Sequence, residues 1–137
     1  MEYIRNTFDY IFELGVPPEK LVLGLAAYGR SSALSNPKCT TDGCPIAGAG
    51  LYGCHGEGGN LPYFEIDSLY AQPGGHDSMI FNAKTGSMEI VSGNNFLSFD
   101  NAETFNIKYR YAFENCLRGI MWYVSRVKCD MSNLLFV

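Results

Sequence analysis

Three cysteines and a histidine lie close together near the middle of the chain and could bind a metal. Cys39, Cys44, Cys54 and His55 offer the thiolate and imidazole ligands that zinc prefers. Their spacing is loose and a second clean pair of ligands is missing, so we predict no metal site. A disulfide is the alternative, either between Cys39 and Cys44 or between one of these and Cys54.

The other short motifs do not indicate a catalytic or cofactor site. Residues 48–53 formally match the G-x-G-x-x-G of dinucleotide-binding proteins. Such a site needs a strand before it and a helix after it, whereas here Cys-Pro precedes and a glycine-rich loop follows. His55 and His76 have no visible base or nucleophile partner, and the chain contains no G-x-S-x-G. We therefore predict no cofactor and no serine-hydrolase triad.

A helix and two apolar runs are the elements that must position any site. Residues 3–14 predict an amphipathic helix that ends at Gly15. Its apolar side chains recur at helical spacing: Ile4, Phe8, Ile11 and Phe12. Residues 20–28 and 117–124 are nearly continuous apolar runs, which predicts two strands buried on both faces of a parallel sheet.

The chain between these runs predicts two kinds of structure. Residues 31–60 are rich in glycine and hold three cysteines, which predicts an irregular loop. Residues 61–99 alternate short apolar segments with turns at 84–86 and 92–94, which indicates a small α+β insertion.

A second helix is predicted after the insertion, from Asp100 to about Asn115. Asp100 and Glu103 stand at the spacing of a capping box, with Asp in place of Ser or Thr. The predicted apolar face of this helix has four members: Phe105, Tyr109, Ala112 and Phe113.

The amino-acid composition limits the classes of protein to which this chain can belong. The chain has 137 residues, 47% of them hydrophobic and 18% charged, which is typical of one globular domain or a part of one. The net charge of -4 argues against nucleic acid as a partner. No apolar stretch reaches the roughly 18 residues of a membrane span, so we expect no membrane insertion. No signal peptide is recognisable at the start.

Five segments resemble, in order, motifs of the family 18 glycoside hydrolases, the chitinases. Residues 15–31 resemble the pattern G-[VI]-P-x-x-K-L-x-L-G-[LI]-x-x-Y-G-R-S of the seventh helix–strand step. Residues 63–66 resemble the Y-[YF]-E-I of the insertion domain, and residues 96–100 resemble W-V-[SG]-[YF]-D, with Phe for Trp. Residues 116–122 resemble the last barrel strand, C-L-G-G-x-M-x-W. Residues 39–48 resemble a loop of the fungal chitinases allied to killer toxins.

The resemblance implies an α/β fold, the C-terminal portion of a TIM (β/α)8 barrel with a small α+β insertion domain. It assigns residues 1–30 to a barrel helix and strand, and residues 31–99 to the cysteine- and glycine-rich loop and the insertion domain. Residues 100–130 are then the barrel helix and last strand, and residues 131–137 are an unmatched tail.

The resemblance also implies chitin hydrolysis in which the substrate's own N-acetyl group attacks and one Glu protonates the leaving oxygen. That Glu ends the motif D-x-x-D-x-D-x-E, which has no match in this chain. We therefore expect no catalytic residue here and interpret the chain as a fragment of a chitinase-like hydrolase, inactive alone. The alternatives are a non-catalytic binder of chitin oligosaccharides and a degraded relic without a sugar role.

The resemblance implies sugar-binding roles for two residues of the Y-G-R motif at positions 28–30. Tyr28 and Arg30 are expected to contact substrate, and Arg30 is expected to pair with Glu65, because a carboxylate orients the planar guanidinium. The alternative is a structural ion pair that joins the barrel to the insertion.

The last strand supplies the aromatic floor beneath the reacting sugar in the family. An ungapped match places Tyr123 at this position, and a one-residue deletion places Trp122 there. The two registers point opposite ways, because side chains alternate along a strand. We prefer Trp122, and the alternative packs Trp122 beneath the outer helices.

The implied ligand is chitin or an oligosaccharide of N-acetylglucosamine, and a secreted location is typical of the family. Two apolar strands without further neighbours would leave unpaired edges and exposed apolar faces. We therefore expect poor solubility alone, and a need for the missing barrel half or for self-association.

Overall fold

Two sheets of different kinds make up the described part of the chain. The structure is a computed structural model that describes residues 1–41, 43–54 and 57–123. The predicted tail and His55 lie outside these ranges. In chain order the elements are α1 (Glu2–Glu13), β1 (Val22–Ala26), β2 (Tyr28–Leu34), β3 (Ile46–Ala49), β4 (Asn60–Pro62), α2 (Tyr63–Glu65, continued by a π-helical turn over Ile66–Tyr70), β5 (Ser78–Asn82), β6 (Ser87–Ser92), β7 (Asn95–Phe99), α3 (Ala102–Glu114) and β8 (Gly119–Tyr123).

Strands β1 and β8 form a two-stranded parallel sheet, in keeping with the two apolar runs. Leu23 pairs with Ile120, and Leu25 pairs with Trp122. Leu23 and Leu25 belong to a buried cluster with side chains of α1 and α3, against which Ile120 also packs. This face of the sheet therefore lies against the two helices, as it does in a barrel layer.

The prediction that both strands are buried on both faces is wrong for the described residues. Val22 is 46% exposed and Met121 is 53% exposed. They alternate with the buried leucines, so they lie on the face that no described element covers. A continuous apolar run indicates a strand of a parallel sheet, but it does not show that each face has a partner.

The second sheet is antiparallel and carries the α+β insertion. Its strand order is β3-β2-β7-β6-β5, with β4 also paired to β2. One face holds a core of its own, in which Ile66, Ile90 and Leu97 are fully buried. Gly86 and Gly93 have positive φ angles at the two predicted turns, a conformation that glycine adopts without steric cost.

The glycine-rich segment 31–60 is more regular than its composition predicts. Strand β2 runs through Leu34, and β3 lies within the segment as well. Ser31 is buried between two glycines: its N–H donates to the Gly59 carbonyl at 2.9 Å, and its own carbonyl accepts the Gly50 N–H at 3.2 Å. Glycine here permits close approach of three backbones, so it marks tight packing as well as loop.

The start of α3 lies one residue later than predicted. The Asn101 side chain accepts the Thr104 N–H at 3.0 Å, and the Thr104 hydroxyl accepts the Asn101 N–H at 2.9 Å. These two residues form the capping box that Asp100 and Glu103 were expected to form. Asp100 is otherwise engaged, because its carboxylate accepts two hydrogen bonds from the Lys108 ammonium at 2.5 and 2.6 Å.

The predicted apolar face of α3 is only partly correct. Ala112 is buried and Phe105 packs against the core, but Tyr109 is 55% exposed and Phe113 is 76% exposed. The helix instead buries Lys108 and Tyr111. Its contact with the sheet is therefore rotated around the helix axis relative to the predicted stripe, which spacing within the helix does not reveal.

Replacing Tyr111 by Phe is expected to raise the free energy of unfolding by about 1 kcal/mol at pH 7, because a buried hydroxyl without a partner is removed. The Tyr111 hydroxyl is buried and has no hydrogen-bond partner, while its ring packs on Phe8 at 5.7 Å. Burial raises the pKa of Tyr111, and the negative charge of Asp9 acts in the same direction.

The same variant tests how the raised pKa of Tyr111 affects stability at alkaline pH. The pKa of Tyr111 is higher in the folded state than in the unfolded state, where it is about 10. The resulting contribution to the free energy of unfolding is complete below pH 10 and is lost as the pH rises through the folded-state pKa. We therefore expect the advantage of Tyr111→Phe to grow above pH 10, measured by urea unfolding with Trp122 fluorescence. Equal advantages at pH 7 and at pH 11 would contradict this assignment.

Candidate functional site

Two tyrosines meet at the carboxyl ends of the parallel strands. The Ala27 N–H donates to the Tyr123 carbonyl at 3.1 Å, which holds the end of β1 beside the end of β8. Tyr28 begins β2 directly after this contact, and its ring lies edge-on to the Tyr123 ring with centroids 6.1 Å apart. This is the edge at which parallel α/β barrels bind their substrates.

Arg30 extends the tyrosine pair along β2. Residues 28 and 30 share one face of the strand, because side chains alternate. The Arg30 guanidinium lies over the Tyr28 ring, 5.5 Å from its centroid, and the residue is exposed. The only ion pair within residues 1–41, 43–54 and 57–123 joins Lys108 and Asp100, so the donors of Arg30 are not committed to a carboxylate there.

The preference for Trp122 as the aromatic floor is wrong in this structure. The Trp122 ring lies edge-on to Phe105 of α3 at 4.7 Å, on the helix side of the sheet. Tyr123 takes the opposite face and reaches Tyr28. The ungapped register therefore holds. Trp122 lies on the helix side of the sheet, as in the alternative, but it is 50% exposed and so is not packed beneath the helices.

The expected pair of Arg30 and Glu65 does not form. Glu65 is 6% exposed, and its carboxylate accepts the Cys54 N–H at 2.9 and 3.2 Å. Its negative charge also contributes, after burial, to a raised pKa of Tyr70. Glu65 thus holds the loop between β3 and β4, while Arg30 lies on the face of β2 that looks away from the insertion core. The alternative of an ion pair joining barrel and insertion fails for the same reason.

The cysteine cluster contains a disulfide. Cys39 and Cys44 are bonded to each other, with Cα atoms 5.6 Å apart. Cys54 is also in a disulfide, so the alternative that joined it to Cys39 or Cys44 does not hold. Cys116 is free. No group of His, Cys, Asp or Glu able to hold a metal occurs in the part of the chain that the structure describes.

One group of residues beside Arg30 went unrecognised in the sequence. A cavity of about 200 Å³ is bordered by Arg30 and, among others, by Ser32, Phe96 and Ser98. Ser98 pairs with Arg30 and Phe96 pairs with Ser32 across β2 and β7. The alternation of residues 95–99 would have placed Phe96 and Ser98 on one face, but only the strand pairing shows that this face adjoins Arg30.

The arrangement is suited to binding a polar ring compound. The tyrosine rings offer apolar faces on which a pyranose ring can stack, and the guanidinium offers planar donors for hydroxyl or acetamido oxygens. None of the three side chains is a carboxylic acid, so the cluster has no group of the kind that protonates a glycosidic oxygen.

Residues 3–126 match the family model of the Glycosyl hydrolases family 18. The chain belongs to glycosyl hydrolase family 18. This family 18 chain is 32% identical over 111 residues to the class V chitinase CHIT5b of Medicago truncatula, which covers 81% of the chain and 28% of that relative.

Solved structures of chitinases resemble this chain, in agreement with the family assignment. The group IV chitinase of Ostrinia furnacalis superposes with a TM-score of 0.81 at 34% identity, covering 88% of this chain and 32% of the other. A chitinase of Cycas revoluta, solved as a mutant in complex with (GlcNAc)4, gives a TM-score of 0.71 at 31% identity, covering 88% of this chain and 33% of the other. The neighbours are TIM-barrel chitinases, and the family 18 chain forms an α/β unit in keeping with part of that fold.

The family 18 chain spans about a third or less of the length of these relatives. None of its described helices is long and apolar enough to cross a membrane. The relatives named come from Medicago truncatula, Ostrinia furnacalis and Cycas revoluta, and membership of the fungal killer-toxin subgroup stays a prediction.

Proposed function

We propose that this chain supplies one wall of the substrate cleft in a chitinase-like family 18 hydrolase and binds oligosaccharides of N-acetylglucosamine. The observation that carries the proposal is the cluster of Tyr28, Arg30 and Tyr123 at the carboxyl ends of β1 and β8. Family membership supplies the reaction class, chitin hydrolysis, and the complex of the Cycas revoluta relative with (GlcNAc)4 supports the class of ligand.

Cleavage by these residues alone is not part of the proposal. The 137 residues contain no D-x-x-D-x-D-x-E, and the tyrosine–arginine cluster has no carboxylic acid. We propose that hydrolysis needs a segment carrying that acid and that the chain alone binds without cleaving. Release of shorter sugars from a chitin oligosaccharide by the purified chain would overturn this part.

Replacing Tyr28 or Tyr123 by Ala is expected to weaken binding of the N-acetylglucosamine tetrasaccharide about tenfold, because each ring offers a stacking face worth roughly 1.4 kcal/mol. Surface plasmon resonance on the immobilised chain measures the change. Trp122→Phe is the matched control and should keep the affinity of the unchanged chain, because Trp122 faces α3.

Three results are informative in that experiment. A loss with Trp122→Phe but not with Tyr123→Ala would restore the rejected register. Equal affinity in all variants would place the sugar elsewhere. No binding of the unchanged chain at millimolar sugar would favour a protein without a sugar role.

A partner for the open side of the parallel sheet is the second part of the proposal. Val22, Met121 and Tyr123 are 46–60% exposed on one face of two strands whose outer edges have no described neighbour. We propose that further strands of a (β/α)8 barrel, or a second copy of the chain, cover this face. Sedimentation velocity should show the isolated chain self-associating and Met121→Lys reducing it, with Ile80→Lys on the distant edge strand as control. A monomer at every concentration would exclude the second copy and leave the strands of a barrel as the only proposed cover.

A secreted location and the killer-toxin-type subgroup complete the proposal. The Cys39–Cys44 disulfide lies in the segment that resembles the killer-toxin loop, and disulfides persist in oxidising compartments. Five reactive thiols in protein isolated from its source would argue against secretion. Grouping with plant class V enzymes in a phylogeny would argue against the subgroup.

A further inference from the structure

A polar cavity lies between α1 and the C-terminal end of α3. Its volume is about 340 Å³, and it is lined by Arg5 and Asp9 of α1 and by Tyr111, Glu114 and Asn115 at the end of α3. Glu114 and Asn115 come just before β8 begins, so the cavity lies toward the amino end of that strand. The tyrosine–arginine cluster lies at the carboxyl end of the same strand, so the cavity is separate from the proposed sugar site.

The Tyr111 hydroxyl is buried in this region and has no hydrogen-bond partner. Tyr111 is 7% exposed, and its ring packs on Phe8. Burial raises the pKa of Tyr111, and the charges of Asp9 and Arg5 act on it as well, so the hydroxyl lies near these two cavity residues. A buried hydroxyl without a partner is costly, and a polar ligand in the cavity can supply the missing hydrogen bond.

The charged side chains around the cavity are of both signs and are not paired with each other. In the described part of the chain, the only ion pair joins Lys108 and Asp100. Arg5, Asp9 and Glu114 therefore form no ion pair there. All three are exposed, so their side chains can turn toward a ligand.

The end of α3 adds negative character to one side of the cavity. The last carbonyls of a helix carry the negative end of its dipole, which favours a cation beside them. The Asn115 side-chain N–H donates to the Tyr111 carbonyl at 2.8 Å, which fixes this helix end in place. A positive group is therefore favoured near Glu114, and a negative group is favoured near Arg5.

We propose that this cavity binds a free α-amino acid in its zwitterionic form. The Arg5 guanidinium and the Tyr111 hydroxyl are donors for the carboxylate, and the carboxylates of Asp9 and Glu114 are acceptors for the ammonium. A ligand of one sign would leave the opposite set unpaired, which favours a compound that carries both charges. The volume of about 340 Å³ falls within the roughly 300–1,000 Å³ of small-molecule sites.

Isothermal titration of the full chain with L-lysine tests the site. Two carboxylates face one guanidinium, so L-lysine, which carries a second positive charge, should bind more tightly than L-glutamate. L-lysine methyl ester lacks the carboxylate and Nα-acetyl-L-lysine lacks the α-ammonium, so each should bind about tenfold more weakly than L-lysine. A methyl ester that binds as tightly as L-lysine would refute recognition of a zwitterion.

Replacing Arg5 by Gln is expected to weaken L-lysine binding about tenfold, because the amide keeps a donor but loses the charge. Arg110→Gln is the matched control, since it removes an exposed guanidinium of α3 that does not line the cavity. It should leave the affinity unchanged. Equal losses in the two variants would show that the amino acid is not bound in this cavity.

Tyr111→Phe separates binding from folding. This variant is expected to be more stable than the unchanged chain, yet its affinity for L-lysine should fall about fivefold, because the carboxylate loses a donor. An unchanged affinity would overturn the role of the hydroxyl and the proposed site with it. Absence of saturable L-lysine binding to the unchanged chain would remove this proposal and leave the proposed sugar site standing.

Discussion

Replacing Asp100 by Ala is expected to lower the free energy of unfolding by about 3–5 kcal/mol, because it leaves the Lys108 ammonium buried without its counterion. The side chains of Lys108 and Asp100 are only 9% and 12% exposed, and the ammonium donates to both carboxylate oxygens. The free energy of unfolding of a typical domain is only about 5–15 kcal/mol, so this loss would leave much of the chain unfolded at 37 °C.

The matched test removes both charges. Asp100→Asn with Lys108→Met should recover most of the loss, since neither charge then needs a partner in a poorly hydrated site. Urea unfolding of the single and double variants, with Trp122 fluorescence as the signal, gives the two values. A double variant as unstable as Asp100→Ala would show that the loss arises from packing and not from an uncompensated charge.

Replacing Gly59 by Ala is expected to cost about 2–4 kcal/mol, because a left-handed backbone conformation and a steric clash combine at one residue. The φ angle of Gly59 is +81°, and a Cβ atom there would lie 2.7 Å from the Ser31 carbonyl oxygen. That carbonyl belongs to the backbone of β2, so it has little freedom to move away.

Gly93→Ala separates the two causes. Gly93 also has a positive φ, +59°, but no atom lies within 4 Å of where its Cβ would stand. It should therefore lose only about 1–2 kcal/mol, the cost of the conformation alone. Because Ser31 adjoins Arg30, Gly59→Ala should also weaken oligosaccharide binding, whereas Gly93→Ala should not. Equal losses of stability in the two variants would contradict a clash at Ser31.

Predictions from local sequence patterns were correct where residues close in sequence determine the structure. The helix over residues 3–14 ends at Gly15, whose φ is +80°, and α1 covers Glu2–Glu13. The turn signals at residues 84–86 and 92–94 separate β5, β6 and β7 at the predicted places. The turns depend on backbone conformations that glycine adopts readily, and the helix on an apolar period, so both can be recognised from a few consecutive residues.

Errors of one residue occurred where a distant partner decides the structure. The α3 cap lies at Asn101 because Lys108 engages Asp100. Trp122 faces α3 because β8 pairs with β1 in the register that sets it opposite Leu25. A slip of one residue reverses the face of every side chain in a strand, and the sequence of β8 is compatible with both registers.

The sequence by itself determined the family, the two barrel strands and the candidate residues Tyr28, Arg30 and Tyr123. Only the tertiary structure decided that Tyr123 and not Trp122 joins Tyr28, that Glu65 holds the Cys54 loop instead of Arg30, and that Phe96 lies beside Arg30. The physical reason is that apolar period and turn chemistry are local properties. Strand register and the orientation of a carboxylate depend on atoms from distant parts of the chain. The tyrosine–arginine cluster is therefore a product of strand pairing, and the proposed sugar site depends on that pairing.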